Sequence, residues 1–438
     1  SYSAFAGNTL FISPDLLVRA GLLRAEDARR APEFRAARVD YPHAAAWKTR
    51  LLEAAFDTAF PRLRGDCAFQ EFCHGERVWL DDYALFMALK REQNFAPWYA
   101  WPLALRLRDE SALAEARVRL GYHILQERYF QYLFARQWQS LRRYCAELGI
   151  SIMGDAPIYV SLDSCDVWAN REIFVLDDLG LPVYAAGAPP DYFSETGQMW
   201  GNPVYDWDHL ERTGFAWWIR RLEHERRRCD LVRLDHFRGF CAFWQVPACE
   251  PTAENGVWIP GPGARLFEAV GRAIPDLHLV AEDLGVITPD VTALMERFGF
   301  PGMKVLQFAF SENMGENAYI PHHIEPNSVA FTGTHDNNTT RGWFAGELGP
   351  EGRERLRAYA GWKVAEADAA EVMIRLALGS VAGMAIVPMQ DYLGLGEDGR
   401  MNTPGVAGGN WGWRMASAML TDELSTRMRT LAWMYGRV

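Results

Sequence analysis

Three acidic residues, Asp235, Glu282 and Asp336, lie near the ends of short apolar runs. Other polar side chains stand beside each of them, so these segments hold residue types that can catalyse a reaction. Asp235 stands two residues after Arg233, and on a strand two such side chains leave the same face. The guanidinium favours an ionised carboxylate, which can attack an anomeric carbon and form a covalent ester. On this segment alone, a purely structural Arg–Asp pair at a strand end is an equally good interpretation.

The second acidic segment holds two adjacent carboxylates, Glu282 and Asp283, directly after the run Leu279–Ala281. One member of such a pair is expected to be poorly solvated or to feel its neighbour's charge, and either effect raises its pKa. A carboxyl group with a raised pKa can act as a general acid. Both residues fit this argument, and Asp283 also fits a helix cap. Glu282 is nearer the predicted strand and is assigned the role.

The third segment, Phe331–Thr340, combines an apolar run with small hydrogen-bonding residues, His335 and Asp336. Sugar hydroxyls are suitable partners for such a set, and hydrogen bonds near the reacting carbon strengthen as oxocarbenium character develops. A metal site is the alternative interpretation. No ligand spacing such as His-x-x-x-His accompanies it, so the sequence predicts no metal.

The elements that position these acids are predicted to be buried strands that alternate with helices. Each strand candidate is a short apolar run that is followed, directly or after a loop, by a helix-like pattern. The six candidates are residues 151–153, 231–234, 277–280, 303–308, 329–332 and 384–388. This order predicts an α/β fold with a parallel sheet.

The positions of the acids favour a closed (β/α)₈ TIM barrel over an open sheet. Asp155, Asp235, Glu282 and Asp336 each lie near the end of a different strand candidate, which is where barrel enzymes build their sites. A barrel needs about eight strands. The sequence therefore predicts strands 3 to 8, with the first two strands missing from this chain and preceding Ser1.

The pattern also predicts the domain organisation. Residues 1–116 read as a mostly helical insertion subdomain, because amphipathic helical segments there are interrupted by Pro and Gly. Residues 117–438 read as the catalytic barrel. Within it, residues 187–207 form a loop rich in Gly, Pro and aromatic side chains, and Tyr205 is expected to present one of its stacking faces.

Composition excludes several classes of protein. Apolar residues make up 49% and charged residues 23% of the chain, as in folded globular proteins. A net charge of -11 disfavours nucleic acid as a partner. No apolar run reaches the roughly 20 residues of a membrane span, so no membrane partner is predicted. Seven cysteines without Cys-x-x-Cys spacing indicate free thiols in a cytoplasmic protein. We expect a monomer.

One glycine-rich segment, Gly394–Gly399, satisfies Gly-x-Gly-x-x-Gly. Two acidic residues inside it and Pro404 soon after it do not suit a helix N-terminus that binds a pyrophosphate. We interpret the segment as a loop, and no cofactor is predicted.

With these residues in hand, the chain resembles glycoside hydrolase family 77, the amylomaltase or 4-α-glucanotransferase family. The most specific segment is Gly187–Pro203, which is similar to an active-site loop of that family. The resemblance also rests on three further segments: Ser3–Asn8, Gly154–Val160 and Asn410–Arg414.

The resemblance implies a role for each matching residue. It makes Asp235 the nucleophile, Glu282 the acid/base and Asp336 the stabiliser of the transition state. The implied substrate-binding residues are Arg233, His335, Asp155, Tyr192, Phe193 and Trp200. The implied reaction moves α-1,4-glucan segments from a donor to glucose or a maltooligosaccharide acceptor with net retention. Two alternatives stay open: an α-glucan hydrolase that uses the same acids, and a glucan-binding protein without catalysis.

Overall fold

The computed structural model describes residues 2–190, 194–406 and 408–437 as an α/β fold of two compact units. The first unit comprises Ser1–Pro32 and His43–Leu294. The second comprises Glu33–Pro42 and Met295–Val438. Tyr192 and Phe193, which are predicted to line the loop, lie outside the described residues.

Helices dominate the first 150 residues of the described chain. Two long helices, α4 and α7, pack against each other, and Asp66 caps α4 by accepting the Phe69 N–H at 3.0 Å. The helices from the first unit are α1 (Pro14–Arg19), α2 (Ala25–Arg29), α3 (Tyr41–Ala59), α4 (Cys67–Glu92), α5 (Leu103–Arg106), α6 (Glu110–Arg119), α7 (Gly121–Glu147), α8 (Cys165–Ala169), α9 (Trp207–Arg212), α10 (Ala216–Arg228), α11 (Ala264–Ala273) and α12 (Pro289–Phe298), of which α3 begins and α12 ends in the second unit.

The first unit contains two sheets. One is parallel, in the order β1-β4-β7, and one is antiparallel, in the order β3-β2-β5-β6. Their strands are β1 (Met153–Pro157), β2 (Tyr184–Ala188), β3 (Gln198–Pro203), β4 (Leu231–Asp235), β5 (Ala242–Pro247), β6 (Val257–Pro260) and β7 (Leu279–Ala281). The parallel strands are apolar because helices cover parallel sheets, and Val232, Leu234 and Val280 are almost fully buried.

The second unit contains a parallel sheet in the order β10-β9-β8. Its core packs Phe310, Trp343 and Met373 around that sheet and its helices. The remaining elements are β8 (Gly302–Val305), β9 (Ser328–Phe331), α13 (Thr340–Gly342), α14 (Pro350–Ala360), α15 (Ala369–Leu378), β10 (Met384–Ile386), α16 (Met389–Tyr392) and α17 (Asp422–Met434).

A short early segment of the chain, Glu33–Pro42, belongs to the second unit. Val39 donates its N–H to the carbonyl of Gly412 at 2.9 Å, and Arg414 donates to Ala37 at 3.0 Å. The Tyr41 hydroxyl donates to the Trp411 carbonyl at 2.9 Å. These bonds join residues from opposite ends of the sequence.

All six predicted strands are confirmed, with bounds that differ by a few residues, and every pairing among them is parallel. They form two three-stranded sheets, one in each unit. Closure into a single (β/α)₈ barrel stays a prediction. The antiparallel sheet was not predicted, and it changes the view of residues 187–207, because β2 and β3 pair there as a hairpin.

Two further expectations concern thiols and membranes. The structure holds all seven cysteines as free thiols, with Cys165 and Cys229 buried. None of the helices in the described ranges is both long and apolar enough to cross a bilayer.

A buried ion pair gives a stability prediction for the first unit. The ammonium of Lys90, which is fully buried, donates to Asp163 at 2.6 Å and to the carbonyls of Phe95 and Ala96 at 3.1 and 3.0 Å. Asp163→Asn leaves this cation without a counter-ion, so we expect a loss of about 3 kcal/mol in the free energy of unfolding. Urea denaturation monitored by circular dichroism measures it. Asp27→Asn, in an exposed pair with Arg24, is the matched control and should change little.

Candidate active site

Arg233 joins two carboxylates at the ends of neighbouring strands. Its Nη1 donates to both oxygens of Asp155 on β1, at 2.8 and 2.9 Å, and its Nη2 lies 2.8 Å from Asp235 Oδ1. The register of β1 and β4 places Asp155 directly opposite Arg233. The predicted contact between Arg233 and Asp235 is therefore present, and Asp155 is brought to the same place. The Arg233 side chain is 10% exposed, whereas that of Asp235 is 40% exposed and open to a substrate.

The pairing of β4 with β7 brings Asp235 and Glu282 side by side. Leu234 pairs with Ala281, so the next residues, Asp235 and Glu282, lie at the same edge of the sheet. The Glu282 N–H donates to the Leu234 carbonyl at 3.0 Å, which fixes this alignment. Two carboxylates with different surroundings therefore end adjacent strands.

The surroundings of Glu282 favour its protonated form. Burial, and secondly the negative charge of Asp235, raise the pKa of Glu282 to about 7. The N–H groups of Leu284 and His236, each 2.8 Å from a Glu282 oxygen, act in the opposite direction, as does Arg233. Glu282 is thus poised to hold a proton near neutral pH, as a general acid must.

The antiparallel hairpin places Trp200 near these acids. Trp200 lies on β3, is 36% exposed, and contacts the His236 ring at 4.8 Å between centroids. The prediction that Tyr205 presents a stacking face is wrong, because its side chain is buried and only 2% exposed. Its ring stacks on Phe174 at 5.0 Å between centroids, and its hydroxyl donates to the Ile158 carbonyl. Tyr205 therefore belongs to the buried core and cannot offer a face to a ligand.

The second unit holds His335 and Asp336 in the loop after β9. Their side chains approach to 3.4 Å, and the His335 ring lies against Trp411 at 5.2 Å between centroids. Asn402 donates its Nδ2–H to Asp336 Oδ1 at 2.6 Å and its backbone N–H to the His335 carbonyl at 3.1 Å. Asp336 is therefore held by a donor that sequence reasoning missed.

A buried carboxylate accepts hydrogen bonds from both ends of the same loop. Asp391, 1% exposed, accepts from the hydroxyl of Thr332 at 2.5 Å and from the hydroxyl and N–H of Thr340 at 2.7 and 2.8 Å. Thr332 follows β9 directly, and Thr340 begins α13. The acidic residue in Pro388–Asp391, after the last predicted strand, is the signal that could have indicated this role.

Among the described residues, no group of three or more His, Cys, Asp or Glu side chains is placed so that it could hold a metal ion. The polar groups at the strand ends are instead engaged by Arg233, by backbone N–H groups and by Asn402. Proton transfer and nucleophilic attack by carboxylates are the chemistry that this arrangement supports.

The fold and the paired carboxylates define an α/β enzyme. The family model described as 4-alpha-glucanotransferase matches residues 1–421, so the chain belongs to that family. A 4-alpha-glucanotransferase from Synechocystis sp. is 48% identical, over 100% of this chain and 87% of its own length. One from Thermus thermophilus is 47% identical, over 99% and 87%. The solved structure of an amylomaltase from Streptococcus agalactiae in complex with acarbose is also similar, with 36% identity and a TM-score of 0.96 over 100% of this chain and 88% of that one.

Proposed function

We propose that this chain transfers α-1,4-glucan segments between maltooligosaccharides, or between starch or glycogen chains, by a retaining double displacement. The donor is an α-1,4-glucan, and the acceptor is glucose or a maltooligosaccharide. Family membership over nearly the whole chain supports the reaction class. The acids adjacent on β4 and β7 support the mechanism.

In the first step, the Asp235 carboxylate attacks the anomeric carbon of the bound donor. The glycosidic C–O bond breaks, and Glu282 gives its proton to the departing sugar oxygen. The product is a glycosyl ester on Asp235 and a shortened glucan that leaves. Each of the two displacements inverts the configuration of the anomeric carbon, so the overall reaction retains it.

In the second step, Glu282, now a carboxylate, takes the proton from an acceptor hydroxyl. The acceptor oxygen attacks the anomeric carbon, and the ester bond to Asp235 breaks. Asp235 is released as a carboxylate and Glu282 is protonated again. Transfer exceeds hydrolysis only when a bound sugar hydroxyl reaches the ester before water does.

The observation that carries the mechanism is the contrast between the two adjacent carboxylates. Arg233 forms an ion pair with Asp235 at 2.8 Å, which favours a negatively charged nucleophile. Burial and the charge of Asp235 raise the pKa of Glu282 to about 7, which suits the acid/base. Opposite protonation states at neighbouring positions are what a retaining mechanism requires.

The remaining assignments concern substrate contacts. We assign Trp200, and with it Tyr192 and Phe193, to apolar contacts with the faces of glucan rings. His335 and Asp336 are assigned to hydroxyls of the reacting sugar, with Asp336 stabilising positive charge in the transition state. The hydrogen bond from Asn402 supports a fixed orientation of Asp336.

Incubation with maltotriose tests the proposed reaction. Transfer will produce glucose together with oligomers longer than maltotriose, which chromatography of the products separates. Hydrolysis will instead produce glucose and maltose without longer oligomers. The second pattern would replace the transferase by the hydrolase, and no products at all would favour a glucan-binding protein.

Arg233→Lys gives a prediction for the carboxylate bridge. The single nitrogen of a lysine ammonium cannot contact Asp155 and Asp235 at the same time in the way that Nη1 and Nη2 of the guanidinium do. We expect kcat/KM for maltotriose to fall about 10- to 150-fold, since a hydrogen bond to a charged group contributes about 1.5 to 3 kcal/mol. Arg226→Lys, in a partly exposed pair with Glu223, is the matched control. Equal rates for both variants would remove Arg233 from the mechanism.

We further propose that the chain works in the reducing cytoplasm. Seven free cysteines, two of them buried, support this setting. The monomeric state stays a prediction.

A further inference from the structure

His236, which follows the proposed nucleophile, has an unusual backbone conformation. Its φ and ψ are 52° and 51°, in the left-handed region, which costs a non-glycine residue roughly 1 to 2 kcal/mol. Histidine is one of the residues that enter this region more often than most. The conformation ends β4 and starts the short turn Phe237–Phe240. A strained residue beside reacting groups calls for a functional explanation.

The left-handed turn directs the backbone of His236 at the proposed acid. Its N–H donates to Glu282 Oε2 at 2.8 Å. Leu284 donates to the other oxygen, Oε1, at 2.8 Å. Both Glu282 oxygens are thereby held by main-chain donors, one from each side of the carboxyl group. Because His236 has a left-handed backbone conformation, the hydrogen bond from its N–H to Glu282 depends on the turn.

The side chain of His236 is packed between two elements. Its ring meets the Trp200 ring edge-on, at 4.8 Å and 86°. The ring also packs near Gly239, where a Cβ atom would come within 3.1 Å of the His236 ring and 2.8 Å of Ile158. The His236 ring thus contacts Trp200 on the hairpin, while the backbone N–H of the same residue binds Glu282.

The charged groups around Glu282 and His236 belong to β4 and the segments that follow β4 and β7. Arg233 and Asp235 act on Glu282 from β4, and Asp283 is its buried neighbour. Arg238 and Asp235 act on the histidine, whose pKa falls to about 4 through burial. The ring is therefore neutral at working pH, and it acts through packing.

We propose that His236 is a positioning residue that couples glucan contact at Trp200 to the orientation of the acid/base Glu282. This inference rests on the proposed function. A sugar on the open face of Trp200 restrains the indole, the indole restrains the His236 ring, and the backbone N–H keeps Glu282 aimed at the glycosidic oxygen. The plain alternative is that His236 only starts the turn Phe237–Phe240.

His236→Gly separates these two roles. Glycine adopts a φ of 52° without penalty, so the turn is retained while the packed ring is removed. If His236 only shapes the backbone, kcat stays at the wild-type value. If it positions Glu282, kcat falls about 2- to 10-fold, as expected for the loss of one edge-to-face ring contact, with little change in KM.

The pH profile gives the second readout. When the N–H is held less firmly, the Glu282 carboxylate loses a donor that stabilises it, so its pKa rises further. We expect the alkaline limb of kcat/KM in His236→Gly to move to higher pH. His236→Asn, which also enters the left-handed region readily, should show the same direction and guards against a folding defect specific to glycine.

A double-mutant cycle with Trp200→Ala completes the test, with maltotriose as the substrate. Trp200→Ala alone should raise KM, lower kcat and move the alkaline limb. In the His236→Gly background it should raise KM but cause no further change in kcat or in the limb. Independent, additive changes in kcat and the limb would overturn the coupling. The proposed function fails separately, if the wild-type chain makes no oligomers longer than maltotriose.

Discussion

Asp235→Asn is expected to abolish glucan transfer, lowering kcat on maltotriose by at least about 10³-fold, as befits the loss of a nucleophile. The asparagine keeps the shape of the side chain but cannot form the glycosyl ester. Arg233 still holds Asp155 at 2.8 Å, so the strand ends should keep their geometry. We therefore expect the variant to keep its affinity for maltotriose, which calorimetry can measure because this variant does not turn the substrate over.

A chemical rescue shows whether the missing function is nucleophilic. In Asp235→Ala, azide can enter the vacated space and attack α-glucosyl fluoride directly, with Glu282 still present, so the product is β-glucosyl azide. A single inversion would then replace the usual two. Asp276→Asn, at an exposed position paired with Arg226, is the matched control and should retain wild-type turnover. Wild-type turnover in Asp235→Asn would assign the nucleophile to another residue.

The second large effect is expected at Glu282. Glu282→Ala removes the proposed proton donor, and general acid catalysis contributes about 10² to 10⁴-fold, so transfer from maltotriose should fall by that factor. Cleavage of α-glucosyl fluoride should be far less impaired, because fluoride leaves without protonation. Azide should then attack the ester on Asp235 and give α-glucosyl azide, the opposite anomer from the product of Asp235→Ala.

The pH dependence of the wild-type enzyme follows from the same residue. In the proposed first step Glu282 must be protonated, and its pKa is raised to about 7, so kcat/KM should fall as the pH rises through that value. The alkaline limb should be lost in the residual activity of Glu282→Ala. Asp283→Asn, which changes the adjacent carboxylate, is the control and should keep the limb. Loss of the limb in Asp283→Asn instead would transfer the acid role to Asp283.

Much of the site could be predicted because it depends on local rules. The alternation of side chains along a strand predicted that Arg233 and Asp235 share a face, and Arg233 Nη2 lies 2.8 Å from Asp235 Oδ1. Short apolar runs indicated all six parallel strands, since a sheet covered by helices needs apolar residues on both faces. The expectation that one carboxyl of the second acidic segment has a raised pKa also agrees with the structure, where burial of Glu282 is the main cause and the charge of Asp235, rather than that of Asp283, is the second.

What could not be predicted depends on pairings between distant segments. The register that sets Asp155 opposite Arg233 pairs two residues that lie 78 positions apart in the sequence. The strands β2 and β3 contain Ala, Gly and polar residues, so no apolar run predicts them. Their pairing with each other, and that of β2 with β5, stabilises them instead. The donor that Asn402 offers to Asp336 comes from a loop whose path the sequence does not reveal.

The pairing of Glu33–Pro42 with the chain near Trp411 imposes an order on biosynthesis. Tyr41 leaves the ribosome 370 residues before the residue whose carbonyl it binds. The first unit can begin to fold as its strands emerge, but this segment must wait as an unpaired stretch until almost the whole chain has been made. Long-range contacts of this kind slow the last stage of folding. A nascent chain that stops short of Trp411 would therefore carry Glu33–Pro42 exposed, as a ready target for chaperones or proteases.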